Sequence, residues 1–517
     1  MTLPDAMIAV HRPWWQTWWC VALVLVLSAV PLLWWPVPPL TDVPARIARY
    51  RVMLDSDPAP NIWGGVDLLV AALAPLIGLG PAVKAIAVAI PVLTAAAMLW
   101  LSREAHGRVQ PSAYFALPFA YNVAFLQGSL DYTLAVALAL GAFALWLRLA
   151  RQWRVRAGVF VPISALIWAV HPFGWLSLGV MILSAEVARQ RAVEDEGARR
   201  GWRESGWRAA VYCLPLAPPA LMLLGWRPDS AGGWLASLAL KPGWLASALS
   251  DRWQPFDFAC MAVVMLVIYR SYRDHRFVHA PMLAAAALGL LVLFVAMPFA
   301  PPFADSGFAS YATVLALLSI RFNARVKQRR RAEVAWAALA FLLVRTAAGT
   351  ASFAIESRDW SHHLAALDHM PGEARVAAFV GSTCAQPLTA RTGQLPRMAA
   401  ARRAAPSGDR FAPGVFSQIV LDAPCPASPE FRTLDQALAE LPRDRFDLIW
   451  LVTPGRISPA LLGETRLVWS DGRDFLFEIP HPPIGRLERS CVRRPDAGRG
   501  GTHIRQARRL SGPDDGR

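Results

Sequence analysis

"WWCVALVLVLSAVPLLWWPVPPLTDVPARIARYRVM", residues 18 to 53, begins with a membrane-length apolar run and continues into prolines and a carboxylate. Residues 18 to 35 carry no charge. As a helix they would reach about 27 Å, close to the depth of a bilayer's hydrocarbon core, with tryptophan pairs at both ends like an interfacial belt. Pro38 and Pro39 block any continuation. Asp42 is then the first acid after the segment, placed where the chain leaves lipid for water. The residues before it lack the order of a cleaved signal peptide, so a retained helix is expected.

The rest of the composition agrees. Of 517 residues 55% are hydrophobic and only 17% charged, with 22 tryptophans, which is too apolar for an ordinary soluble chain and points to a polytopic membrane protein. Basic loops stay cytoplasmic. "RLARQWRVR" (148 to 156) has four arginines and no acid, "RFNARVKQRRR" (321 to 331) has six basic residues and no acid, and 189 to 208 is arginine-rich. The loops at 36 to 65, 226 to 254 and 299 to 307 are mixed or nearly uncharged and are assigned to the other side.

Spans are expected near 18 to 35, 81 to 101, 112 to 127, 129 to 147, 159 to 170, 173 to 187, 209 to 225, 256 to 271, 279 to 298, 306 to 321 and 333 to 352. About eleven crossings put the N-terminus in the cytoplasm and the C-terminus outside. "VDLLVAALAPLIGLG" (66 to 80) is short and interrupted by proline, which suits an interfacial helix in a long first external loop, 36 to 80. The expected organisation is a transmembrane domain over 1 to 352, a small external α/β domain over 353 to 480 and a disordered basic tail over 481 to 517. The α/β reading rests on short apolar runs, "RVAAFVG", "FDLIWLV" and "TRLVWSDGRDFLFEI", the last with an Asp471-Gly472 hairpin turn, and on the helical "LDQALAELP". A ten-residue echo, "GGWLASLAL" then "PGWLASALS" (232 to 250), reads as two half-helices on the bilayer surface or as a lip over a lipid-substrate entry.

The net charge of +15 belongs largely to the cytoplasmic face, where anionic headgroups attract it, and nucleic acid is not an expected partner. The sequence has no Walker loop, no dinucleotide glycine pattern after a strand and no cysteine-pair zinc spacing. Those absences argue against most energy-coupled pumps.

A cytoplasmic N-terminus, a long first external loop with two surface helices (about 42 to 55 and 66 to 78), about eleven spans and an external C-terminal domain together resemble the GT-C superfamily of membrane glycosyltransferases. The resemblance is mainly architectural and covers nearly the whole chain. It implies an enzyme of a bacterial-type inner membrane that moves a sugar from a polyprenyl-phosphate carrier to a cell-envelope acceptor on the external face. It also implies a catalytic acid in the first external loop, and Asp42 in "PPLTDVPARIARY" occupies that place as candidate general base. Arg46 follows where other versions of the motif carry a second acid or a histidine. No cofactor is identified, and a divalent cation, though compatible with the resemblance, has no ligand set to support it. The implied partners are a lipid-linked sugar donor and membrane lipids.

Each candidate has a plainer reading. Asp42, two residues before Pro44, has the place of a helix N-cap. Arg345, inside the last span, costs about 2.5 to 3.5 kcal/mol on insertion scales unless paired, so it either snorkels outward to a headgroup or holds the carrier phosphate. Lys84, near the external start of the second span, has the same two readings. His171 at a Pro172 break either caps freed carbonyls or lines the acceptor cavity. Asp67 and Asp131 look like helix caps. Asp359 and His363, four apart, are read as an ordinary polar helix rather than a metal site. Cys384 and Cys425 are expected to pair in the external domain. A secondary transporter or lipid flippase, or a noncatalytic envelope-assembly protein, is the competing class.

Overall fold

In lipid, every backbone N–H and C=O must find a partner within the chain, and this sequence meets that demand almost wholly with helices. The computed structural model describes residues 13–55, 65–192, 194–195, 198–199, 201–225, 234–297, 304–372, 374–382, 391–399, 415–421, 432–455, 457, 463 and 465–480. Its helices in chain order are α1 (Trp18–Leu33), α2 (Val43–Asp55), α3 (Gly65–Ile77), α4 (Leu79–His106), α5 (Ala113–Ala116), α6 (Val123–Leu126), α7 (Leu130–Arg148), α8 (Trp153–Val170) and α9 (Pro172–Arg191). After the β1–β2 pair (Glu194–Asp195, Ala198–Arg199) come α10 (Trp202–Tyr212), α11 (Trp234–Ala246) and α12 (Gln254–Arg273). Strand β3 (Phe277–His279), α13 (Pro281–Ala296), α14 (Ala304–Ser319), β4 (Ile320–Phe322) and α15 (Gln328–Ala365) complete the helical part.

Among the described residues five helices are long and apolar enough to cross a membrane: α4, α7, α8, α12 and the run Gln328–His369 that contains α15. Helices α1, α3 and α13 are shorter apolar segments. Helix α4 packs on α7, α7 on α9, α9 on α13 and α13 on α14, while α1 lies between α4 and α15. Two expected spans are instead broken. Residues 112 to 127 form α5, a 3-10 turn Leu117–Tyr121 and α6, all deeply buried apart from Tyr121. Pro118 cannot donate to a continuous ladder, and Asn122 stops the turn and caps α6, accepting from the Phe125 N–H at 3.2 Å. Residues 209 to 225 likewise divide into the end of α10 and two 3-10 turns, Leu214–Leu216 and Pro218–Gly225, at Pro215, Pro218 and Pro219. The repeated "GWLAS" copies run into one helix, α11, with Pro242 inside it, rather than two half-helices.

The chain beyond α15 builds one mixed sheet from β5 (Val376–Ser382), β6 (Val415–Leu421), β7 (Leu448–Val452), β8 (Arg466–Ser470) and β9 (Phe475–Glu478), in the order β6-β5-β7-β9-β8. Strands β6, β5 and β7 are parallel, and β9 and β8 close the sheet antiparallel. Alternation along β5 and β7 divides their side chains. Ala377, Phe379, Ile449 and Leu451 pack with Leu434 and Leu438 of α16 (Leu434–Ala439), which starts at a Thr433–Gln436 capping box. Val376, Ala378, Val380, Trp450 and Val452 face Leu395 and Met398 and join the core of the helices. With both faces covered, β7 is buried at every position. The Asp471-Gly472 turn joins β8 to β9, Gly472 at φ +86°. The tail 481 to 517, Cys384, Cys425 and Cys491 lie outside the described residues; Cys20, Cys213 and Cys260 are free thiols.

Candidate functional site

Asp42 is held by its backbone. The N–H groups of Thr41 and Asp42 donate to the carbonyls of Leu126 and Gln127, each at 3.1 Å, so the turn after α6 fixes the chain leaving α1. The fit needs Gly128: its φ is +84°, and a Cβ there would stand 3.0 Å from the Asp42 nitrogen and 3.1 Å from the Asp42 Cβ. The Asp42 carbonyl opens α2 by accepting from the Arg46 N–H at 3.0 Å. Its carboxylate caps nothing: among the described residues it takes no hydrogen bond, and Pro44 offers no N–H. Burial lifts its pKa above the ordinary carboxylate value, against the opposing pull of the Arg46 and Arg397 guanidiniums.

Arg46 is engaged. Its Nη1 lies 2.5 Å from Asp131 Oδ2, and Asp131 Oδ1 accepts from the Val66 N–H at 3.2 Å, so this acid ties α7 to α2 and to the start of α3. Asp131 is a brace between three helices rather than a local cap. Asp67, in the first turn of α3, is buried and ion-paired with Arg49. His171 caps forward instead of back: its Nδ1 accepts from the Phe173 N–H at 3.3 Å, at the start of α9. Its ring meets Tyr132 edge-on, and burial pushes its pKa down while Asp131 pulls it up. Lys84 donates to the Leu33 carbonyl at 2.6 Å, at the end of α1.

A small pocket opens between α1, the Leu117–Tyr121 turn and α15. Pro31, Pro118, Leu126 and Phe353 give it apolar walls, and Tyr121, Asp251 and Arg345 supply polar groups. Leu126 is shared, since its carbonyl also holds Thr41. Arg345 does not snorkel. It is buried with Nη1 2.5 Å from Asp257 Oδ1 and Nη2 2.9 Å from the Leu249 carbonyl. Asp251 takes Ser352 Oγ at 3.1 Å and an ion pair from Arg391, whose guanidinium sits 5.1 Å from the Phe353 ring centre.

Arg391 and Arg397 are the two ends of a 3-10 helix, Arg391–Arg397, that crosses from β5 to β6 and packs along α2. One end is therefore pinned at the pocket. The other brings an exposed guanidinium into electrostatic range of Asp42. Sequence reading missed Arg397, Asp251 and Asp257. "TGQLPRM" carries no local signal, and only the folding of the C-terminal sheet against α2 brings Arg397 near the first loop. Asp257 could have been sought as the acid required by an intramembrane arginine.

Asp359 and His363 are not a metal pair. His363 Nδ1 lies 2.7 Å from the buried Asp474 Oδ2, linking α15 to the β8–β9 hairpin, while Asp359 faces Arg252 at 4.0 Å. Among the described residues no cluster of three His, Cys, Asp or Glu side chains could hold a metal. The arrangement that remains is a half-buried carboxylate, unbonded among the described residues, in electrostatic range of two guanidiniums and one turn of chain from a half-apolar pocket that Leu126 lines. A group of that kind can take a proton from a hydroxyl while a neighbouring cation holds an anion.

No family model matches the chain and no curated protein matches it. Two solved structures resemble it in fold, both crystal structures of ArnT from Cupriavidus metallidurans, one in the apo state and one bound to undecaprenyl phosphate. They superpose at a TM-score of 0.44 with 14% and 13% identity, over 88% of this chain and 96% of each of theirs. A likeness of that degree decides neither substrate nor chemistry, which must be read from this chain's own residues.

Proposed function

We propose that the chain is a membrane glycosyltransferase that takes a sugar from a polyprenyl-phosphate carrier on the external face of a bacterial-type inner membrane and passes it to a cell-envelope acceptor. The observation that carries the reading is the state of Asp42: its carboxylate takes no hydrogen bond among the described residues, its pKa is lifted by burial, and its backbone is held by Gln127, next to the Leu126 that lines the pocket. A carboxylate that served only as a cap would be bonded to the N–H groups it caps.

In this reading the acceptor hydroxyl oxygen attacks the anomeric carbon, and Asp42 receives the hydroxyl proton. The bond from the anomeric carbon to the phosphate oxygen breaks with its electron pair, which stays on the polyprenyl phosphate. That leaving group is good without protonation, so a cation rather than an acid is what it requires. Arg345, Arg46 and His171 serve as braces in this scheme, since each is already bonded within the chain. Lys84 keeps N–H donors beyond the one given to Leu33, and so remains a candidate for the carrier.

The test is sugar transfer from a lipid-linked donor by membranes holding equal amounts of protein. Asp42→Asn is expected to abolish transfer, and Asp67→Asn, at an acid ion-paired with Arg49 and given no part in the chemistry, to keep it. Wild-type transfer by Asp42→Asn would remove Asp42 from the chemistry.

A further inference from the structure

The charges around Asp42 divide unevenly. Arg46 has Asp131, Arg49 has Asp67, Arg345 has Asp257 and Arg391 has Asp251. Arg397 has no ion pair and no hydrogen bond to any described residue, and its side chain is exposed although Leu395, Pro396 and Met398 around it are buried. The backbone that carries it is not loose. The Arg391–Arg397 helix packs on α2, its apolar residues enter the core shared with β5 and β7, and its far end is fixed by the Arg391–Asp251 ion pair. An unpaired guanidinium on a fixed backbone, beside a site whose other arginines are each neutralised, is suited to an anion brought from outside.

We propose that Arg397, contributed by the C-terminal sheet unit, binds the phosphate of the polyprenyl carrier, so that the site is complete only when the Arg391–Arg397 helix is docked on α2. This rests on the reading of the chain as a carrier-dependent transferase and names a binding residue for it. The guanidinium presents paired N–H donors to two phosphate oxygens and meets the charge that builds on the leaving group as the bond to the sugar breaks. Its distance from the first loop in sequence makes carrier binding report on the folding of the C-terminal unit.

The test uses the full chain in phosphatidylcholine nanodiscs, with either polyprenyl phosphate or phosphatidylglycerol added at equal mole fraction and occupancy read by native mass spectrometry. Arg397→Gln is expected to weaken polyprenyl phosphate binding about tenfold or more, as loss of a charge-assisted contact does. Arg397→Lys should recover part of it, and Arg445→Gln, an exposed arginine of the same unit away from the site, should match wild type. Equal binding by wild type and Arg397→Gln would overturn the assignment of Arg397 while leaving the transferase reading intact. An equal loss of phosphatidylglycerol would make Arg397 a general headgroup contact and also overturn it. A wild-type chain that binds no polyprenyl phosphate would overturn the transferase reading itself.

Discussion

Replacing Gly128 by alanine tests whether the turn after α6 aims Asp42. At φ +84° an L side chain is strained, by about 1 to 2 kcal/mol for a residue held in the left-handed region. The new methyl would also stand 3.0 Å from the Asp42 nitrogen and 3.1 Å from its Cβ. Both contacts are with the backbone or the root of the side chain, so Asp42 itself must move by a few tenths of an ångström. A misplacement of 1 Å at a reacting group can cost about a hundredfold in rate; a few tenths therefore predicts a fall of about threefold to tenfold. Transfer should be measured at equal amounts of folded protein, alongside a thermal melt. Gly158→Ala in α8, whose Cβ would meet nothing within 4 Å, is the comparison and should cost neither rate nor stability. A lowered Tm with wild-type transfer by Gly128→Ala would refute the coupling, because strain would be present without consequence for the carboxylate.

Because burial raises the Asp42 pKa, the base is ready only above that raised value. The acid limb of the rate profile should accordingly fall at a pH above the ordinary carboxylate range, and a limb at or below that range would contradict the assignment. The same upward shift means that the folded chain binds the proton more tightly than the unfolded chain, so ionised Asp42 costs stability above its unfolded pKa. Asp42→Asn should thus raise Tm at neutral pH, and a lowered Tm would show the carboxylate to be a structural partner. Asp257→Asn leaves Arg345 buried without its counter-ion and should destabilise by about 3 to 5 kcal/mol, whereas Asp257→Asn with Arg345→Met should recover much of the loss; thermal melts of the single and double variants decide. A cysteine at the exposed Ser361 should react with a membrane-impermeant reagent in intact cells, and one at Gln328 only after permeabilisation; the reverse pattern would invert the orientation.

The helical class was legible because apolar length and proline position are local properties: the run from Trp18 to Leu33 and the breaks at Pro38 and Pro39 decide α1 without knowledge of the rest. The hairpin at Asp471-Gly472 was legible for the same reason, since a positive φ calls for a particular residue. Residues 112 to 127 misled because composition records how apolar a segment is and not whether one proline and one asparagine will divide it into short buried turns. Strand β6 carried too little contrast with its flanks to be singled out, and the sheet identifies it through its pairing with β5. At the site, Asp42 stood out by position. Its surroundings did not, because Asp131, Asp257, Asp251 and Arg397 reach their places through contacts between distant segments, and a charged residue does not announce its partner.

Arg345 and His363 stand eighteen residues apart on α15, five turns at about 3.6 residues each. The pocket's arginine and the histidine that grips the hairpin therefore share one face of a continuous rod, separated by about 27 Å of rise. That makes the helix a ruler with a phase as well as a length. A single inserted residue between them would lift the sheet by about 1.5 Å, a small matter, but would also swing His363 about 100° around the axis and away from Asp474. Seven inserted residues would nearly restore the angle while raising the sheet about 10 Å above α2. The spacing that keeps Asp474 within reach of His363 also sets the height from which the Arg391–Arg397 helix meets α2, so this stretch of chain is closed to the insertions and deletions that an exposed loop absorbs.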